Sequence, residues 1–254
     1  MRLGILSLLA LLLFGSPSFA ACGTPPCITT VNANSTSTAI DTTGVSNPIL
    51  IALSWCYVNG GATTESTPSD SAGNTWHYTA ARGDGDGSAA RGAIYYAYNP
   101  TLSASHTFTL PPCASGFGGS AVVGVYSGAI TAGDPLDQAA KCANNSAGLT
   151  VTLPALTPTV TNTLLISGTI NYCSGAACTD TAPGFTLDGS VHNASHGDET
   201  LGHRSYAPTT PITVQWTDSA AGSMGGCVAA FRTPSSGGGG SSFVANQSVI
   251  TVGP

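Results

Sequence analysis

The sequence predicts an all-β protein, an antiparallel β-sandwich of jelly-roll or Ig-like type built from two weakly similar halves and supported by disulfides. Three observations predict it. Short runs of Val, Ile, Thr and aromatic residues alternate with Gly, Pro, Asn and Ser, the pattern of many strands joined by turns. No stretch after residue 20 keeps a helical apolar period with helix-forming residues. The chain has 8 cysteines, all after residue 20, and an even number beyond a leader suits paired thiols in an oxidising compartment.

Composition narrows the function classes. Only 7% of the 254 residues are charged, 6 Lys+Arg against 12 Asp+Glu, for a net charge of −6. Such a chain has no cationic surface to displace counterions from phosphate, so nucleic acid is excluded as a partner. A charge-rich coiled coil is excluded as well. The 42% hydrophobic content with low net charge is enough to build a core rather than a disordered chain.

The N-terminus reads as a secretory leader over residues 1–20. Arg2 supplies the positive end, Leu3 to Phe14 the apolar run, and Ser18-Phe19-Ala20 the small residues before a cleavage point. Phe19-Ala20-Ala21-Cys22 has the outline of a lipidation site, but Phe stands where Leu is usual. Lipidated Cys22 would also leave an odd cysteine, so secretion to the extracellular space or cell surface is the expectation and a lipoprotein is not. No second long apolar segment follows, so no transmembrane segment is expected after the leader.

The mature chain divides into a Ser/Thr/Asn-rich segment at 21–45 and a sandwich domain at 46–233. A Gly/Ser linker at 234–242 and a short β-prone tail at 243–254 follow. Strand-like runs are Ile49–Trp55, Ala93–Tyr98, His106–Leu110, Ala121–Tyr126, Leu149–Leu153, Leu164–Ile166, Ile212–Trp216 and Cys227–Phe231. Cys22–Cys27 and Cys173–Cys178 are close enough in sequence to close local loops, and the other pairings stay open. No pair has the C-x2-C spacing of a structural zinc site.

A weak internal repeat constrains the fold. Ser46-Asn47-Pro48-Ile49-Leu50-Ile51 matches Thr161-Asn162-Thr163-Leu164-Leu165-Ile166. Asp70 to Trp76 is echoed by Thr181 to Thr186, Tyr98-Asn99-Pro100 by Tyr206-Ala207-Pro208, His106–Leu110 by Pro211–Trp216, and Gly119–Tyr126 by Gly222–Phe231. Each unit holds about five strand-like segments in one order. Neither unit is expected to bury a sheet face alone. Packed together they make two layers, each covering the apolar side of the other.

The segments Asn47–Ile51, Asp70–Trp76, Ile94–Pro100, Thr107–Leu110, Val123–Ala129, Asp134–Asp137, Asn162–Ile166 and Gly184–Thr186 together resemble a group of secreted bacterial β-sandwich modules of mostly unassigned function. The resemblance covers about residues 45–233. It implies a sandwich carried on exported or surface chains and supplies no catalytic residues. The cysteines are not part of that pattern.

Several residues could carry chemistry. Asp84 and Asp86 alternate with glycine in Arg82-Gly83-Asp84-Gly85-Asp86-Gly87-Ser88, and clustered oxygen donors on a Gly-rich loop suit calcium. The twelfth position of an EF-hand reading is Tyr95 rather than Glu. His192, His196 and His203 beside Asp198 and Glu199 have the residue types for a transition metal, without the helix or H-E-x-x-H core of zincins. Ser223 in Ala221-Gly222-Ser223-Met224-Gly225 approximates a nucleophile elbow but lacks a following helix. Trp76, Tyr78, Tyr96 and Tyr98 offer flat rings for stacking on sugars, although most aromatics in such a chain fill the core.

Together these features lead to the expectation of a secreted, non-catalytic binding or surface module contacting an extracellular polysaccharide or cell-envelope polymer. It requires no cofactor; calcium or a transition metal are the metal chemistries its residues offer. The alternatives are an extracellular glycan-active or metal-dependent enzyme, and a structural adhesin or matrix protein assembling through the tail.

Overall fold

The computed structural model describes residues 22, 24–57, 67–85, 90–113, 119–172, 178–193 and 197–234. Residues 1–20, where a leader is expected, Asp86, Cys173, His196, and residues 235–254, where the linker and tail are expected, lie outside the described residues. Every helix or strand among the described residues is a strand. No helix among them is long and apolar enough to cross a membrane.

The strands are β1 (Cys27–Asn32), β2 (Ser35–Thr36), β3 (Ile49–Tyr57), β4 (Ser69–Asp70), β5 (His77–Gly85), β6 (Ala90–Tyr98) and β7 (Phe108–Leu110). They continue as β8 (Gly119–Tyr126), β9 (Leu136–Thr152), β10 (Thr163–Tyr172), β11 (Asp180–Thr181), β12 (Thr186–Asn193), β13 (Gly197–Tyr206) and β14 (Gln215–Arg232). All pairings are antiparallel. The first main sheet runs β1-β8-β3-β6-β5. The second runs β11-β14-β10-β13-β12, with β9 also paired to β14. A small third sheet runs β2-β7-β4.

The two main sheets share one strand order. β9-β14-β10-β13-β12 repeats β1-β8-β3-β6-β5 place for place. The segments that echo each other in sequence hold equivalent positions. Asn47 and Asn162, just before β3 and β10, both have positive φ, 48° and 60°. Gly73 and Gly184 do too, at 72° and 78°. Asn and Gly are the residues that adopt this left-handed backbone at low cost. Outside the strands, the bridge Ile40↔His106 of the first half matches Leu156↔Ile212 of the second.

Strand alternation sorts the side chains. Ile49, Ile51 and Leu53 of β3, Ile94 and Tyr96 of β6, and Val122 and Tyr126 of β8 point to one side. There they meet Leu164, Ile166, Leu201, Ala229 and Phe231 of the second sheet in one continuous core. The approach is close: a Cβ on Gly168 would lie 2.4 Å from Leu53 Cδ2 and 3.0 Å from the Thr200 carbonyl, so glycine is what lets the sheets meet there.

The expectation of only two layers is corrected here. The outer faces are buried as well. Leu50, Ala52, Ala93, Tyr95, Val123 and Val125 pack under Val31, Phe108 and Leu110 on the outside of the first sheet. Leu165, Met224, Val228 and Ala230 pack with Val151, Leu153, Leu156, Ile212 and Trp216 on the outside of the second. Each half therefore covers its own sheet with its own connections. This is why all eight positions of β8 are buried and why its sequence is a continuous run of apolar and small residues rather than an alternation.

Disulfides join distant parts of this framework. Cys56–Cys113 and Cys142–Cys227 close separations of 57 and 85 residues, and the second links directly opposed positions of β9 and β14. Cys22–Cys27 forms the expected local loop. Cys178 is also disulfide-bonded, and no described cysteine is free. In the chain-entropy picture a long-range link of this size contributes about 4 kcal/mol.

Leu53→Ala removes the side chain that fills the gap left by Gly168. It is expected to lower unfolding free energy by about 2–5 kcal/mol, measured by urea denaturation of the oxidised protein.

Candidate functional site

The motif Asp70-Ser71-Ala72-Gly73-Asn74-Thr75-Trp76 builds a rigid corner around one carboxylate. Asp70 Oδ1 accepts the Ala72 amide at 2.9 Å, the Asn74 amide at 3.3 Å and Asn74 Nδ2 at 3.1 Å. Asp70 Oδ2 accepts the indole N–H of Trp76 at 2.8 Å. His106 Nε2 lies 3.2 Å from Oδ1, with both side chains fully buried, and Thr42 Oγ1 lies 3.0 Å from His106 Nδ1. Burial pushes the Asp70 carboxyl up, but the bonds from His106, Trp76 and Asn74 outweigh it and leave the group below its ordinary value. The consequence for Trp76 is orientation: its half-buried ring is clamped edge-on to Phe108, with centroids 6.3 Å apart.

Next along the chain, Tyr78 on the edge strand β5 is 43% exposed. Its ring lies 5.5 Å from that of Tyr95, the residue opposite it on β6. Trp76 and Tyr78 thus share the outer side of the first sheet.

Tyr96 and Tyr98 occupy the other side. Tyr96 is only 2% exposed and belongs to the core between the sheets. Its hydroxyl donates to both Asp134 oxygens, at 3.0 and 2.9 Å. Burial, reinforced by the Asp134 charge, raises the pKa of that phenol. Tyr98 is half-buried at the core margin and stacks on His77 at 5.0 Å. The four aromatics singled out by sequence therefore divide between two faces, because β6 alternates Tyr95 outward with Tyr96 and Tyr98 inward.

The histidines divide in the same way. His192 faces outward and hydrogen-bonds Asp198, its cross-strand partner. His203 faces inward and holds Asp188 Oδ1 at 2.6 Å. A register shift between Leu187 and Gly189 sets this parity. The bulged Asp188 turns into the core, where Tyr126 donates to its other oxygen at 2.8 Å. Burial raises the Asp188 carboxyl and the pairing with His203 and Tyr126 limits the rise. Burial and the Asp188 charge raise the Tyr126 phenol well above its ordinary value. His192 and His203 do not form one ligand set, and His196 lies outside the described residues. Asp84 stands within β5 opposite Arg91 rather than in an open loop. Ser223 stands within β14 opposite Tyr172, with no helix after it.

Sequence reasoning missed an acidic corner at the end of the body where β10 finishes and β13 begins. Asp180 of β11 pairs with Asp218 of β14, and Asp198 lies opposite Asn171 across β13 and β10. All four are buried. They meet because β14 loses register between Thr217 and Gly222. Its first part lies over the outer face of its own sheet, with Trp216 Nε1 donating to Ser167 Oγ at 2.9 Å. On the inner face Glu199 is 0% exposed and accepts a 2.7 Å hydrogen bond from Ser120 Oγ of the facing sheet. Three acids, Asp180, Asp198 and Glu199, lie within two residues of Cys178 or Gly197 in the sequence, but only the topology brings Asp180 and Asp198 together with Asp218. Among the described residues no group of three or more His, Cys, Asp or Glu side chains converges tightly enough to hold one metal ion.

Burial raises the Glu199 carboxyl well above its ordinary value, and the Ser120 bond opposes the rise only in part. Between the unfolded and folded pKa values the folded chain therefore holds the extra proton. Stability is fully present below the unfolded value and falls as pH rises, by about 1.4 kcal/mol per pH unit, until the folded pKa is passed. Glu199→Gln keeps the shape without the proton. Its advantage over the parent chain is expected to grow as pH rises above the ordinary carboxylate range, read by urea unfolding at each pH.

Compared with family models, curated proteins and solved structures, the chain has no significant match to any.

Proposed function

We propose that this chain is a secreted, non-catalytic binding or surface module that contacts an extracellular polysaccharide or cell-envelope polymer through the outer face of its first sheet. The observation that carries the reading is the pairing of clamped Trp76 with exposed Tyr78. A sugar ring presents C–H groups to an aromatic face, and a ring already fixed by its own hydrogen bond loses little freedom on contact. Asp70 provides that fixation for Trp76. The low charge of the chain, 7% of residues, suits an uncharged polymer and limits nonspecific ionic contacts. The disulfides support export, since such links persist in oxidising compartments. The body belongs, on this reading, to the Ig-like or jelly-roll class of sandwich, and its repeated strand order supports an origin in two similar halves.

A second reading, an extracellular glycan-active enzyme, draws on one observation. Asp188 holds the half-buried His203 through Nδ1, the way a carboxylate orients an imidazole for proton transfer. Product analysis after incubation with soluble glycans separates this reading from simple binding.

The binding reading is tested by pull-down on a panel of insoluble neutral glycans. Tyr78→Ala is expected to weaken retention about tenfold, the loss of one ring stack of about 1–1.5 kcal/mol, while leaving unfolding stability nearly unchanged. Retention on none of the panel by the parent chain removes the proposal.

A further inference from the structure

A cavity of about 440 Å³ opens where β14 stops and β10 is about to start, at the other end of β10 from the acidic corner. It is lined by Ile130, Val160, Thr161, Arg232 and Thr233. Its size is that of a small-molecule site. The walls are fixed by backbone contacts on several sides. The Ile130 amide donates to the Arg232 carbonyl at 3.1 Å, and the Arg232 amide to the Pro135 carbonyl at 2.7 Å. Thr233 Oγ1 donates to the Asn162 carbonyl, and Asn162 turns the chain there with a φ of 60°. The cavity is therefore preformed rather than opened by a guest.

Arg232 is the charged group in that lining, and its donors exceed its partners. Nη2 donates to the Leu136 carbonyl at 3.0 Å, while Nε is buried and bonds nothing. A guanidinium carries five N–H donors and stays charged. Among the described residues the ion pairs all join histidine to aspartate, so none of their carboxylates neutralises Arg232. The two acids that flank Leu136 are engaged elsewhere. Asp134 accepts the Tyr96 hydroxyl and the Leu136 amide, and Asp137 accepts the Thr159 hydroxyl and amide. The first half has no such charge. Tyr126 pairs with Ile49 as Phe231 pairs with Leu164, so Arg232 corresponds to Ser127. The cation belongs to this half alone and is not demanded by the fold.

We propose that this cavity binds a monocarboxylate, its two oxygens held by the guanidinium of Arg232 and its carbon skeleton lying against Ile130 and Val160. A carboxylate matches the planar fork of an arginine. One cation in a chain of net charge −6 suits a single negative charge better than a phosphate dianion. The aliphatic wall favours an organic acid over an inorganic ion. Two sources carry this chemistry, the uronate unit of an acidic polymer and a free aliphatic acid. The site is independent of the aromatic face formed by Trp76 and Tyr78.

The test titrates the full oxidised chain with sodium glucuronate and, separately, sodium hexanoate, with glucose and hexanamide as neutral controls. Binding is read by calorimetry and by Tm. An acid that binds, at about ten times its Kd, is expected to raise Tm by about 3–5 °C, and the neutral controls should not. A response to glucuronate alone supports the proposal with a uronate source, to hexanoate alone with a free aliphatic acid, and to both with the carboxylate itself as the determinant. Arg232→Lys keeps the charge but loses the fork, and should bind about tenfold more weakly. Arg232→Gln should abolish binding. Thr161→Asp sets a negative charge at the exposed rim without touching the Leu136 contact. It should weaken binding about tenfold and leave the Tm of the ligand-free chain unchanged. Tyr78→Ala should bind the acid as the parent does. No binding of either acid by the parent chain overturns the proposal. Equal binding of the neutral controls overturns it as well, and so does binding that survives in both Arg232→Gln and Thr161→Asp.

Discussion

The constraint on which the rest of this structure depends is that both main sheets are buried on both faces. The seam between them, from Ile49, Ile51 and Leu53 to Leu164, Ile166 and Phe231, accounts for only one of three cores. The outer cores go with central strands β3, β8 and β10 that carry no charged residue on either side. A chain built this way has little room for charge. Its few acids are then either locked into hubs, like Asp70, or left inside with few partners, like Asp180 and Glu199. The low charge of the sequence is thus a consequence of the layering.

Much of the fold was legible because strands buried on both faces write an unbroken apolar signal. β3 and β8 announce themselves as Ile49–Trp55 and Ala121–Tyr126. The repeat placed equivalent strands correctly because it rests on turn residues, Asn47 with Asn162 and Gly73 with Gly184, whose positive φ only certain residues accept cheaply. The runs His106–Leu110, Leu149–Leu153 and Ile212–Trp216 read as strands, but that Phe108, Leu110, Val151, Leu153 and Trp216 fold back over the outer faces was not legible. The strands beside them, β2, β4 and β11, are two residues each, too short to show a period.

The site was harder to read for a related reason. His192 and His203 look like neighbours in sequence, but a single bulge at Asp188 sends them to opposite faces. No spacing rule reports a bulge before the ladder is known. The acids of the corner lie at 180, 198 and 218 and meet only because β14 bends over its own sheet. The sequence marks Trp76 by its ring and marks Asp70–Trp76 by the repeat and the resemblance; the fixed orientation of the ring comes from the Asp70 hydrogen bond, which neither signal reports.

The shared strand order of the two sheets has a further consequence. Neither half's apolar inner face is covered by its own connections; each is covered by the other half. In this chain two halves of one strand order travel on one polypeptide, so no symmetry is enforced by identity. Each half can then specialise: where one places His106 beside the Asp70 hub, the other has the apolar Ile212 at the matching bridge. An exposed aromatic platform and a buried acidic corner can therefore coexist on one frame, because neither has to be built twice.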